Sequence, residues 1–176
     1  MGDVDRLFHA YHAPLVRYLT RRLGDRDWAD EVAQETFLRA LRQETIVNER
    51  AWLFAVATNL VRDEARKDAR RRRHLAVLAA EQRDTVSEQP ATSAEQSQEA
   101  ALARRAVETL AERDRLALLM REEGLDYPEI AEALGLSVGS VGTTLARARR
   151  RLAETYEAMQ RAADAREARR GTHGRS

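Results

Sequence analysis

Arg62, Arg66 and Arg70 recur every four residues, with Thr58 and Asn59 one turn ahead of them. On a helix this spacing puts all five side chains on one face. Guanidinium groups one and two turns apart can follow successive phosphates there, while the amide and hydroxyl can meet a base edge or the backbone. A second set lies towards the other end of the chain: Ser137, Ser140, Thr143 and Thr144, then Arg147, Arg149, Arg150 and Arg151. Small polar groups ahead of clustered arginines suit a helix whose first turn enters a major groove while later turns lie along phosphates. A third set has the opposite sign. Asp30, Glu31, Gln34 and Glu35 share one side of a helical wheel with Leu38, and an acidic ridge carrying an exposed leucine suits a protein partner better than DNA. Each set also has a plain reading as a solvated helix face.

Catalytic chemistry is harder to assemble. His9 and His12 stand three apart as a metal-binding pair would, but no matching carboxylate pair follows on a neighbouring helix, so surface or core histidines are expected. The chain has no cysteine, which excludes disulfides, thiol catalysis and Cys-ligated zinc. Nothing resembles a Gly-rich phosphate loop, and neither an enzyme nor a cofactor is expected. The net charge of +1 conceals a division along the chain. Residues 1–75 carry 15 basic and 12 acidic groups, residues 76–100 carry 1 and 5, and residues 101–176 carry 14 and 12. Two mildly basic blocks therefore flank an acidic middle, the footprint of a polyanion partner.

The elements that must position these sets are helical throughout. Charged residues make up 34% of the 176, aromatics 5%, and there are only 8 Gly and 3 Pro, so the expected fold is all-α, as two small helical domains. Residues 81–99 hold one large aliphatic, Val86, among Glu, Gln, Ser and Thr, and cannot bury enough apolar area to order themselves. They are expected to form a flexible acidic tether, about 24 Å long on average and roughly 60 Å when pulled straight. It joins a first domain over residues 1–80 to a second over 100–160, with a basic tail over 161–176. No apolar run is long enough to cross a membrane, and the acidic start Met-Gly-Asp-Val-Asp is unlike a signal peptide, so the cytoplasm is the expected compartment.

In the first block, Leu7, Tyr11, Leu15, Tyr18, Leu19 and Leu23 recur at helical spacing, with Pro14 expected to kink or restart the helix and Gly24 to end it. Asp27 is expected to cap the next helix, which buries Ala29, Val32, Ala33, Thr36, Phe37 and Ala40. A third helix, from about residue 50, buries Leu53, Val56, Ala57 and Leu60, with Trp52 as an anchor near its start. In the second block, helices are expected over 101–110 and 112–123, the latter capped by Thr109 with Glu112. Asp126 with Glu129 then caps a short helix that has Pro128 in its first turn. Gly135 breaks that helix, Ser137 caps another, and Val141, Leu145, Ala148 and Leu152 line the buried side of the last. The tight turn between two short apolar helices marks a helix-turn-helix.

Three stretches in this order, DWADEVAQETFLRAL, ERAWLFAVATNLVRDEARKDARRR and LAERDRLALLMREEGLDYPEIAEALGLSVGSVGTTLARARRRL, resemble an extracytoplasmic-function (ECF) sigma factor of bacterial RNA polymerase. The resemblance implies an alternative sigma factor that binds core polymerase and recognises −10 and −35 promoter DNA. Asp30, Glu31, Gln34, Glu35 and Leu38 would dock on the clamp helices of the β′ subunit. Thr58, Asn59, Arg62, Arg66 and Arg70 would hold −10 DNA, with Ile46, Val47 and Asn48 lining a pocket for a flipped base. Ser137, Ser140, Thr143, Thr144, Arg147, Arg149 and Arg150 would meet the −35 element, and helices over 101–123 would grip the β flap. An anti-sigma factor is the implied regulator. The chain departs from the family at Gly142, Thr143 and Thr144, where Lys-Ser-Arg is frequent, so two basic contacts are lost. A one-component helix-turn-helix regulator is the alternative; it leaves the acidic Leu38 face unexplained.

Overall fold

The computed structural model describes residues 3–76 and 94–173. Among these it contains seven helices: α1 (Asp3–Leu23), α2 (Arg26–Ala40), α3 (Glu49–Ala76), α4 (Ala94–Glu108), α5 (Glu112–Glu122), α6 (Tyr127–Leu134) and α7 (Val138–His173). They gather into two compact units, Met1–Glu88 with Leu119–Val141, and Gln89–Leu118 with Gly142–Ser176. The boundary passes through α5 and α7, so α6 belongs with the first three helices and packs on α3. Most of residues 81–99 lie outside the described part, but α4 begins at Ala94, inside the stretch read as a tether.

In the first unit, Leu15, Val16, Tyr18 and Leu19 of α1 are buried, as are Ala29, Val32, Ala33 and Phe37 of α2 and Leu53, Phe54, Ala57, Leu60 and Val61 of α3. Tyr18 and Phe54 sit with ring centroids 5.0 Å apart. The phenol of Tyr18 shares a 2.7 Å hydrogen bond with Thr58 Oγ1, and burial pushes its pKa up. Helix α1 runs unbroken through Pro14, so the expected restart does not occur. Asp25, not Asp27, caps α2, its carboxylate accepting from the Trp28 amide at 3.0 Å. Arg26 and Asp27 then fall in the first helical turn.

In the second unit, Ala106, Leu110, Leu116, Ala117, Leu145 and Ala148 are buried. Thr109 does not cap α5, because its hydroxyl donates back to the Ala106 carbonyl at 2.7 Å. The short helix α6 is closed as its sequence specifies. Asp126 accepts from the Glu129 amide at 2.9 Å and the Glu129 carboxylate accepts from the Asp126 amide at 2.7 Å. Helix α7 continues to His173, so the basic stretch after residue 160 extends the recognition helix.

Gly135 ends α6 at φ 64°, the left-handed conformation that side chains with a Cβ resist. A Cβ built there meets nothing within 4 Å, so any cost is that of the backbone alone. Gly135→Ala should therefore lower stability by about 1 kcal/mol, and Gly135→Asn by less, read as shifts in the urea midpoint at constant slope.

Candidate nucleic-acid interface

Helix α2 buries Ala29, Val32, Ala33, Thr36, Phe37 and Ala40, the stripe its spacing predicts, which forces Glu31, Gln34 and Leu38 outward. Asp30 and Glu35 are half-exposed and lie beside Arg26 (3.5 Å) and Arg39 (2.9 Å). Leu38 is 51% exposed, and Leu41, just past the helix, is 59% exposed. Leu41 was not singled out from the sequence. Its position three residues after Leu38 was the available signal. Phe8 of α1 is also partly exposed, stacking on His12 at 4.3 Å and tilting against Phe37 at 5.2 Å. His12 thus packs as an aromatic ring. Among the described residues no three His, Asp or Glu side chains gather as a metal would need.

On α3, Asn59 and Arg66 are exposed and Arg62 is half-buried, all along one side. Arg66 lies 3.6 Å from Asp63. The side chain of Arg70 falls outside the described residues. Thr58 does not belong to this face: it is fully buried against Tyr18, and its carbonyl accepts from Arg22 at 3.1 Å. A threonine one turn from the buried Phe54 and Val61 can point inward when a buried hydroxyl is there to pair with it. In the loop ahead of α3, Ile46 is half-buried, Val47 is 88% exposed and Asn48 is exposed. The carbonyl of Asn48 accepts from the Trp52 amide at 2.8 Å, and its side-chain amide donates to Glu132 of α6. Glu49 is bonded to Arg6, which holds its carboxyl below the usual range.

On α7, Thr143, Arg149 and Arg150 are exposed, and Ser137 is exposed in the preceding turn. Ser140 is half-buried, and its hydroxyl donates to the Ser137 carbonyl at 2.8 Å. Two expectations fail here. Thr144 is buried, 4% exposed, next to Leu145 on the packed side. Arg147 is bound through two of its three nitrogens, Nε and Nη2, to Asp114 of α5, with Nε 2.9 Å from Oδ2, so this fork of its guanidinium is committed within the unit. Asp114 is 1% exposed, and the Arg147 bond holds its carboxyl below the ordinary range. Its role was legible in principle. Position 114 continues the apolar stripe of Leu110, Ala117 and Leu118, and a carboxylate on such a stripe needs a cationic partner.

Residues 7–71 match the family model for Sigma-70 region 2, and residues 100–152 match that for Sigma-70 region 4. The ferric citrate uptake sigma factor FecI of Escherichia coli K12 is 32% identical over 82% of this chain and 85% of its own length. The chain belongs to the sigma-70 family, as an ECF sigma factor. SigL, an ECF sigma factor of Mycobacterium tuberculosis H37Rv, is 32% identical over 87% of this chain and 88% of its own. The sigma factor RpoE of Bartonella quintana, solved with the anti-sigma factor NepR, shares the fold at TM-score 0.67. It is 22% identical, over 89% of this chain and 98% of that one. This sigma factor is thus an alternative specificity factor for transcription initiation, a DNA-binding protein in place of a classical enzyme. Among the described residues no helix is long and apolar enough to cross a membrane.

Because the Asp114 carboxyl titrates below its unfolded value of about 3.9, its contribution is complete above that pH and is lost as pH falls through the folded value. Asp114→Asn should lower the melting temperature at pH 7 by roughly 5 °C. It should also flatten the acid limb of stability below about pH 4, measured as urea midpoint against pH.

Proposed function

We propose that this sigma factor divides its work among the three surfaces just described. The α2 ridge of Asp30, Glu31, Gln34, Glu35 and Leu38, extended by Leu41, docks on the β′ clamp helices of core polymerase, with α4 and α5 reaching the β flap. Asn59, Arg62, Arg66 and Arg70 hold −10 DNA. Ile46, Val47 and Asn48 receive an unstacked base, Val47 offering an open apolar surface for it. Ser137, Ser140 and Thr143 approach −35 base edges, with Arg149 and Arg150 on phosphates. Arg147 and Thr144 support the helix from within. In domain terms, residues 1–80 and 100–160 act as the two readers, joined by 81–99, and residues 161–176 extend α7. An anti-sigma factor controls their release, a reading supported by structural neighbours solved as complexes, RpoE with the anti-sigma factor NepR and CnrH with the cytosolic domain of CnrY. The whole process takes place in the cytoplasm.

The observation that supports this reading is the ridge itself: a helix face on which Glu31 and Gln34 stand exposed beside two exposed leucines, Leu38 and Leu41. A one-component regulator would use the helix-turn-helix but has no place for the region 2 match over residues 7–71.

Glu31→Arg with Glu35→Arg should weaken core-polymerase binding by about tenfold or more at unchanged helicity, measured by fluorescence anisotropy and circular dichroism. Undiminished binding would dismiss the ridge as the docking face. Neutralising Arg150 should weaken every −35 sequence alike and reduce the slope of log affinity on log salt by about one. A changed base preference in Arg150→Ala would instead place that side chain on a base edge.

A further inference from the structure

Past residue 152, where the family match ends, α7 keeps an apolar side. Tyr156, Met159 and Ala163 recur at helical spacing and are half-buried. Ala101 and Leu102 of α4, half-buried in the same unit, cover part of that side. Side chains this small leave the seam between two helices incompletely filled. On one flank Ala101, Leu102, Met159 and Ala162 floor a groove of about 450 Å³. Arg105 stands on its α4 wall and Arg166 on its α7 wall, both exposed, and among the described residues neither forms an ion pair. Glu167 is the one carboxylate among the described residues that line it. The opposite flank has the other sign: a smaller groove of about 220 Å³ bordered by Glu99, Asp164 and Glu167.

We infer that the groove with Arg105 and Arg166 on its walls is a docking site for an acidic amphipathic helix of a partner protein. The apolar ridge of such a helix enters between Ala101 and Ala162, and carboxylates along its two edges meet the two arginines. Residues 98–105 of α4 run along the groove for about 10 Å, so a partner helix of roughly three turns covers it. A small ligand fits less well, because Gln98, Arg105, Arg166 and Glu167 are all exposed and none is held in place to orient it. DNA would use the arginines and leave the apolar floor uncovered. The acidic flank of a second copy has the complementary charge, but its apolar side chains, Leu102 and Ala163, are half-buried and form no ridge. The site is additional to the polymerase and promoter surfaces proposed above and does not depend on them.

Fluorescence anisotropy on the full chain, without polymerase, tests this. The probe is a labelled helical peptide of about 16 residues with Leu along one face and Glu on both edges, beside a counterpart carrying Lys in place of every Glu. The Glu peptide should bind about tenfold or more tightly than the Lys peptide at low salt, and Arg105→Glu with Arg166→Glu should reverse the order. Ala162→Phe, which fills the groove from an exposed position, should weaken the Glu peptide by about tenfold at unchanged circular dichroism. If Ala162→Phe loses helicity, the charge reversal still decides. Equal binding of the two peptides, or Glu-peptide binding that survives the charge reversal, overturns the inference. Displacement of the bound peptide by a −35 duplex also overturns it and assigns the groove to nucleic acid. A dimer of the free chain in sedimentation velocity that Ala162→Phe dissociates does the same in favour of a second copy.

Discussion

Helices α1, α2 and α3 close around Tyr18 and Phe54, and the space between them is filled mainly by Ala, Val and Leu. A core of this kind fixes which side of each helix is hidden. Once Ala29, Val32, Ala33, Thr36, Phe37 and Ala40 face inward, the acidic ridge of α2 has no choice but to face solvent. Once Leu53, Ala57, Leu60 and Val61 face inward, Asn59 and Arg66 are displayed in the same way. The surfaces that meet polymerase and DNA in our reading are thus by-products of one packing decision. A substitution that loosened the Tyr18 and Phe54 contact would disturb both without touching either.

The apolar periodicity of α2, the capping box of α6 and the end of α6 at Gly135 were legible because each depends on neighbours within one or two turns. The roles of Thr58, Thr144 and Asp114 depend on partners elsewhere: Tyr18 is 40 residues from Thr58, and Arg147 is 33 from Asp114. A helical wheel treats a hydroxyl or carboxylate as outward by default. It cannot register that a second polar group waits in the core to satisfy it. The position of Asp27 misled for a related reason, because Asp25 and Asp27 are both good caps and only the path of the chain after Gly24 selects between them.

Burying Asp114 against Arg147 has a cost for recognition as well as a benefit for stability. The helix that we propose reads the −35 element already lacks the Lys and Arg that are frequent in the family after Val141. It then commits one of its remaining arginines to its own domain. In the proposed reading, charge towards DNA is concentrated in the exposed Arg149 and Arg150, with small side chains ahead of them. Sequence discrimination by such a surface leans on close approach and on groove shape more than on long bidentate donors.

Helix α7 runs for 36 residues without interruption, about 54 Å at 1.5 Å per residue. It carries at one end the turn that we propose faces the groove and, beyond the family match that ends at residue 152, a mixed-charge shaft. Mechanically this is a lever arm. A rotation of roughly 10° about the DNA-reading end sweeps the far end through about 9 Å, and a protein gripping the shaft would apply a torque to the bases being read.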